Sequence, residues 1–429
     1  MAVRLFIKLL DKPFLSAVLL CIFIFYSGLF NIPERNPPKQ LVKAEQINFI
    51  EGMLINSPAK TQSGKYYVGK LELSKAGVNS GSKSLISSSK GIINVLIPSS
   101  MAEAFFPGKL YSAATGKGAY LYESGAQYTF TGNFLEGAAE SFLVKTCLDC
   151  RWKDSLFGKI DYFRALCRLQ FKRLMYAWNA AGGLLLALLC GSREYLEGSL
   201  YSNFKNAGLS HIIALSGMHL SMFSAIALFF GSRFGRKKFT FIIRLTALII
   251  FVWFAGFSPS LLRAFICSML LLFAAIAGVK EPDMLMILSF SFLLQCIISP
   301  SDLQNAGFML SYGALAGILI TSRYLTKLLM RLFPSYFSLS LSASCGAQIF
   351  TAPLSLKLFG SFSPIGVIAT VFVSPLITIF IYSGLTFIIL SLFFPPLSSY
   401  SAIFLTIEYN FIKIITGAFS KAPLVNFGE

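Results

Sequence analysis

His211-Ile-Ile-Ala-Leu-Ser-Gly-Met-His219 contains both histidines of the chain and lies inside an apolar run over 209–230. A side chain that can ionise is costly in a segment of membrane length, so it normally faces the bundle interior or a hydrated cavity. The run therefore reads as membrane-embedded, and its polar residues become candidates for function. With no histidine elsewhere, a His-rich zinc centre is excluded from the rest of the chain. Two histidines without carboxylate or thiol partners also make a poor metal site, so no metal or cofactor is expected.

The whole chain agrees with its centre. Its 429 residues are 55% hydrophobic and 13% charged, with a mean hydropathy of +0.68. Apolar segments approaching the roughly 20 residues needed to cross a bilayer recur. They fall at 13–31, 175–191, 209–230, 240–257, 260–279, 284–299, 306–321, 341–359, 364–391 and 400–419. This predicts a polytopic α-helical membrane protein. The 364–391 segment contains Pro375 and reads as kinked or as two pieces. The 400–419 segment carries Glu408 and Lys413 and reads as a crossing or as an interfacial helix. The net charge of +18 suits anionic lipid, nucleic acid or basic cytoplasmic loops.

Between 33 and 150 the pattern changes to short alternating runs broken by Gly and Ser, such as Tyr66-Tyr67-Val68-Gly69-Lys70-Leu71 and Gly91-Ile92-Ile93-Asn94-Val95-Leu96-Ile97. About five such strands, also at 45–56, 120–122 and 128–131, suit a small barrel. Residues 151–173 then place Arg164, Arg168 and Lys172 on one face and Ile160, Phe163, Leu166 and Leu169 nearer another, the pattern of an amphipathic helix lying along an interface. The domain reading is an N-terminal transmembrane anchor over 1–32, a β domain over 33–150, the interfacial helix over 151–173 and a membrane domain over 174–429. Most cysteines sit singly in apolar runs as packing groups. Cys147 and Cys150 lie in a polar region and read equally as a local disulfide or as two free thiols.

Loop charge orients the chain. Arg233, Arg236, Lys237 and Lys238 crowd one loop, and Arg323, Lys327 and Arg331 mark another, so both are expected in the cytoplasm. Arg4, Lys8 and Lys12 place the N-terminus there too, which puts the β domain outside. The count closes only if one early segment does not cross fully. The short 175–191, interrupted by Gly182-Gly183, is the expected one.

Four stretches carry a family resemblance. They are Leu184–Gly191 with Phe204–His219, Ala255-Gly-Phe-Ser-Pro-Ser-Leu-Leu-Arg-Ala264, Pro300–Tyr312, and Gln348-Ile-Phe-Thr-Ala-Pro353 with the later Phe359-Gly360 and Pro375. In order and spacing over about 200 residues they resemble the central membrane domain of the ComEC family of competence proteins. That resemblance implies transport of single-stranded DNA across the cytoplasmic (inner) membrane during natural transformation. It also implies that the β domain is an extracytoplasmic, oligonucleotide-binding (OB)-like barrel. The chain shows no His-x-His-x-Asp-His run of the metallo-β-lactamase-like domain that many members carry, and no Gly-x-x-x-x-Gly-Lys-[Ser/Thr] loop. The expectation is a channel without nuclease or ATPase of its own. Its partners would be single-stranded DNA, the lipid bilayer, a separate nuclease, a DNA receptor and a cytoplasmic ATPase or helicase.

On this reading His211, Ser216, Gly217, His219, Arg263, Ser311 and Gln348 form the polar lining of the DNA path. Each has a plainer account as well. The histidines can simply bond neighbouring helices. Arg263 can snorkel from a helix end, and Asp302 can cap the helix that follows. In the barrel, Tyr66, Tyr120, Tyr122, Tyr128 and Phe130 are candidates for stacking on bases, with Lys65, Lys70 and Lys117 following phosphates. The same aromatics also suit an ordinary barrel core. The alternative function is a membrane enzyme acting on an envelope or lipid-linked substrate, with His211 or His219 as base.

Overall fold

In the computed structural model the described residues are 13–26, 46–61, 63–79, 84–104, 120–135, 138–233, 237–256, 258–394, 396–423 and 425–426. Arg4, Lys8, Lys12, Lys117 and Arg236 lie outside them. The chain divides into two units, one of 33–186 with 192–195, the other of 1–32, 187–191 and 196–429.

The first apolar helix is α1 (Pro13–Tyr26). The β unit follows with β1 (Phe49–Leu54), β2 (Ala59–Lys60), β3 (Tyr66–Asn79), β4 (Ser84–Ser88), β5 (Ile92–Pro98), the short α2 (Ser99–Ala102), β6 (Gln127–Leu135) and β7 (Ala138–Arg151). Strand alternation drives its core: Ile93, Val95 and Ile97 are buried while their neighbours on β5 are only half-buried. β1 pairs with both β3 and β6, β6 with β7, β7 in parallel with β5, and β5 with β3. Those five strands close a ring with the strand order and single parallel pair of an OB-like barrel.

Two sequence expectations shift here. Residues 120–122 form no strand, because the Tyr128 hydroxyl donates to the Leu121 carbonyl (2.6 Å) and accepts from the Glu123 amide (3.0 Å) in place of ladder bonds. β7 is a full strand that no simple alternation announces, since register shifts along its pairing with β6 interrupt the two-residue period. Cys147 and Cys150 are free thiols, and burial pushes them up to about 12 and about 11.

The helix expected over 151–173 is α3 (Leu156–Ala177), capped by Ser155, whose side chain accepts from the Gly158 amide. Its cationic face points inward. Arg168 and Lys172 are buried, each 3.4 Å from a Glu123 oxygen, and Lys172 is also 3.0 Å from Glu194. Burial by itself would raise the Glu123 carboxyl. The Arg168 and Lys172 charges, helped by the Ser57 hydroxyl and Arg164, bring it down to about 2 instead. After Trp178 the chain turns at Asn179, which has φ 50°, into α4 (Asn179–Cys190). Gly182 and Gly183 do not break this helix. Added Cβ atoms would stand 1.8 Å from the Met175 carbonyl and 2.2 Å from that of Tyr195, so the pair permits close packing. Twelve residues make α4 about 18 Å long, less than a hydrocarbon core.

The second unit is helical. It contains α5 (Gly198–Asn206), α6 (Ser210–Ile213), α7 (Gly217–Ser232), α8 (Lys237–Ala255), α9 (Pro259–Ile276), α10 (Met284–Ile298), a 3-10 turn at Pro300–Gln304, α11 (Ala306–Leu329), α12 (Ser335–Phe359), α13 (Gly366–Phe393) and α14 (Leu397–Phe419). Among the described residues five helices hold spans long and apolar enough to cross a membrane: Lys238–Ala255, Pro259–Ile276, Ala306–Leu329, Gly366–Ser391 and Leu397–Phe419. The chain is a polytopic helical membrane protein with an inserted barrel. α13 is one helix despite Pro375. α14 carries its charges with partners, Lys413 on Glu197 at 2.6 Å and Glu408 accepting from Ser383 at 2.9 Å. Against α10, α1 places Phe14 on Phe290 and Val18 among Leu288, Phe292, Phe308 and Tyr312.

Candidate functional site

The histidine block does not form one helix. α6 ends at Ile213, and Ala214, Leu215 and Ser216 run non-helical before α7 begins. The break is chemically specified. Ser216 is the N-cap of α7, and Nδ1 of His219, at the third helical position, accepts from the Ser216 amide at 3.2 Å. This is a capping box with imidazole in the place usually taken by Glu or Gln. With Nδ1 accepting, the neutral ring carries its proton on Nε2. That Nε2 is buried and has no acceptor among the described residues. The lone pair a general base would offer is already committed to the helix cap.

Gly217, the first residue of α7, faces Arg263 on α9. A Cβ there would stand 3.1 Å from the guanidinium Nη2, so the glycine leaves space for the cation. Nη1 of Arg263 donates to the Ser311 carbonyl on α11 at 2.6 Å, while its Nε is buried without an acceptor among the described residues. No carboxylate lies within ion-pair distance of Arg263 among the described residues. Buried polar groups are nearly always satisfied, so two orphan N–H donors on neighbouring elements require an explanation.

Gln348 on α12 lies elsewhere in the unit. It donates to the Ser363 carbonyl at 3.1 Å, and Ser363 in turn donates to the Asn206 carbonyl at 2.8 Å, just before Gly208 and α6. His211 on α6 is exposed, whereas His219 is buried. The structure thus groups Ser216, Gly217, His219, Arg263 and Ser311, and sets Gln348 under the turn that leads to His211.

A polar chain that sequence reading missed lies next to this group. Cys267 donates to Ser291 (3.3 Å), Ser291 meets the Tyr312 hydroxyl (3.3 Å), and Tyr312 donates to Gln295 (3.0 Å). Gln295 then donates to Asp302 (2.9 Å) and to the Pro259 carbonyl (3.1 Å). Ser291 and Gln295, four apart on the mostly apolar α10, were the available signal. Asp302 therefore serves Gln295, and the cap of α11 is Asn305.

The barrel aromatics need a correction. Tyr122, Tyr128 and Phe130 are buried and stack on one another, with centroids 5.4 Å apart for Tyr122–Tyr128 and for Tyr128–Phe130. They are core and present no face to a base. Tyr120 is half-buried, and its hydroxyl donates to the Leu148 carbonyl at 3.0 Å. Tyr66 and Lys70 alternate with the buried Tyr67 and Leu71 and so lie on the outer face of β3, the second strand of the ring.

Residues 188–428, more than half of the chain, match the family model described as competence protein. The chain belongs to the competence protein family. The match includes His211, His219, Arg263, Ser311 and Gln348, while the barrel precedes it. The chain is also similar to curated proteins. "Recombination protein 2" of Haemophilus influenzae is 29% identical over 210 residues, covering 45% of this chain and 26% of the relative. "ComE operon protein 3" of Bacillus subtilis is 28% identical over 204 residues, covering 47% and 25%. "Uncharacterized protein MG316" of Mycoplasma genitalium is 31% identical over 184 residues, covering 43% and 46%. The chain spans about a quarter of the length of the first two. No solved structure matches it.

Proposed function

We propose that this competence-family chain forms the membrane passage for single-stranded DNA during DNA uptake, in the cytoplasmic membrane. One observation carries the reading: among the described residues, Nε2 of His219 and Nε of Arg263 are buried donors that lack acceptors, and Arg263 has no carboxylate partner. A phosphate oxygen is the acceptor that suits both. A cation at membrane depth is retained at a cost that function must justify. A carboxylate placed there to neutralise Arg263 would instead repel a polyanion.

The passage performs no chemistry of its own. Strand degradation and driving force come from a separate nuclease and a cytoplasmic ATPase or helicase, and a receptor delivers the DNA. The barrel lies outside the membrane and gathers the strand weakly through the outward face of β3, with Tyr66 as stacking surface and Lys65 and Lys70 near the backbone.

The test is uptake of labelled DNA into the cytoplasm. Arg263→Met and the double variant His211→Leu/His219→Leu should lose internal label while surface-bound label persists at wild-type abundance. Normal uptake in both sinks the reading. Reaction of Lys90→Cys in intact cells tests the barrel's side, and labelling only after permeabilisation would place it in the cytoplasm.

A further inference from the structure

The amphipathic helix α3 is turned inside out relative to a helix on a water-soluble domain. Ala165, Arg168, Leu169 and Lys172 face inward, and both cations are held by Glu123 and Glu194. By helical spacing the opposite side carries Leu156, Ile160 and Phe163, with Phe157 and Leu166 beside them. These side chains are exposed, Leu156 at 72%, Phe157 at 76% and Phe163 at 60%. The apolar stripe from 156 to 166 runs about 15 Å along the helix. A soluble domain would not leave so much contiguous apolar surface in water.

The surroundings identify what covers it. Exposed Lys153 and Lys159 flank the stripe, and Arg173 is exposed farther along the same side. Trp152 and Tyr162 stack edge to face at 5.4 Å beside its N-terminal end. An apolar face edged by lysines, with Trp and Tyr at its border, is the composition of a helix lying at a lipid–water boundary. The next element in the chain, after Trp178, is the apolar α4.

We infer that α3 lies in the interface of a bilayer containing anionic lipid, with Leu156, Phe157, Ile160, Phe163 and Leu166 in the acyl boundary. The barrel is thereby seated on the membrane through the buried Glu123–Arg168–Lys172–Glu194 cluster. The cations that a free amphipathic helix would offer to headgroups are spent inside the domain. Lys153 and Lys159 remain to contact lipid phosphates, with their stems along the apolar face.

The experiment uses the full chain, its native cysteines replaced, as one copy per nanodisc of phosphatidylcholine and phosphatidylglycerol. A single cysteine at Phe163 or, as a control, at Lys90 carries a fluorophore. The label at 163 should be quenched severalfold more by lipids bearing a nitroxide high on the acyl chain than by aqueous iodide, with the reverse at 90. Iodide quenching at 163 equal to that at 90 overturns the proposal. Shielding at 163 from both quenchers overturns it too, because it assigns the face to protein. The second label position Phe157→Cys must follow the first, which guards against a local distortion at either site.

Discussion

Buried charge is handled in opposite ways in the two units. In the barrel unit, Arg168 and Lys172 are closed off by Glu123 and Glu194, so that each buried cation has a carboxylate within 3.4 Å. In the membrane unit, among the described residues, Arg263 has a carbonyl at 2.6 Å and no carboxylate, and His219 keeps one nitrogen for the helix cap and leaves the other without an acceptor. Paired charges specify how elements dock, and removing one member is costly because the other remains buried and uncompensated. On the function proposed above, the unmet donors await a ligand, and the contrast then separates scaffold from site.

The largest effect should come from breaking a pair. Glu123→Gln removes the carboxylate 3.4 Å from Arg168 and one of the two that hold Lys172, and should destabilise the barrel unit by about 3–5 kcal/mol. Intrinsic fluorescence of the purified chain on heating reads this through Trp152 and Trp178. The acid response has a defined sign. The Glu123 carboxyl is held at about 2, below its ordinary 4.5, so its contribution is complete above pH 4.5 and is lost as pH falls toward about 2. The variant should melt early at neutral pH with a flatter acid limb. A wild-type melting profile would remove the distinction between the units.

Arg263→Met should show the converse. Methionine suits the bundle, so melting should hold or rise. DNA transfer should fall roughly ten- to hundredfold, the loss of a charge-assisted contact of about 1.5–3 kcal/mol. A variant that unfolds while residual uptake tracks its abundance would make Arg263 scaffold.

A smaller effect is expected at the barrel surface. Tyr66→Ala should weaken salt-sensitive binding of a single-stranded oligonucleotide to the purified chain by about 1 kcal/mol, the low end for loss of one stacking ring. Unchanged affinity in a gel-shift titration would restrict DNA contact to the membrane unit.

The smallest concerns the helix cap. His219→Leu should cost about 1 kcal/mol by opening the capping box, whereas His219→Gln, with an acceptor in the same place, should cost only a few tenths. Uptake then sharpens the reading. Loss with Leu but not Gln means that a polar donor suffices, and loss with both means that imidazole itself is needed.

The sequence by itself determined the apolar segments, the short-strand region, the amphipathic character of 151–173 and the family block around His211 and His219. All of these depend on spacing between near neighbours, and periods of 2 and 3.6 residues can be read without knowing what packs against them. Tertiary structure decided which way those faces turn. The orientation of α3 depends on Glu123, 45 positions before Arg168, and the neighbour of Arg263 is a carbonyl 48 positions away. Tyr128 and Phe130 read as either core or ligand platform until ring closure placed them inside. Pairing across such distances follows from strand register and helix docking, which no local pattern encodes, so sequence could nominate His219 and Arg263 but only the fold could show their donors unmet.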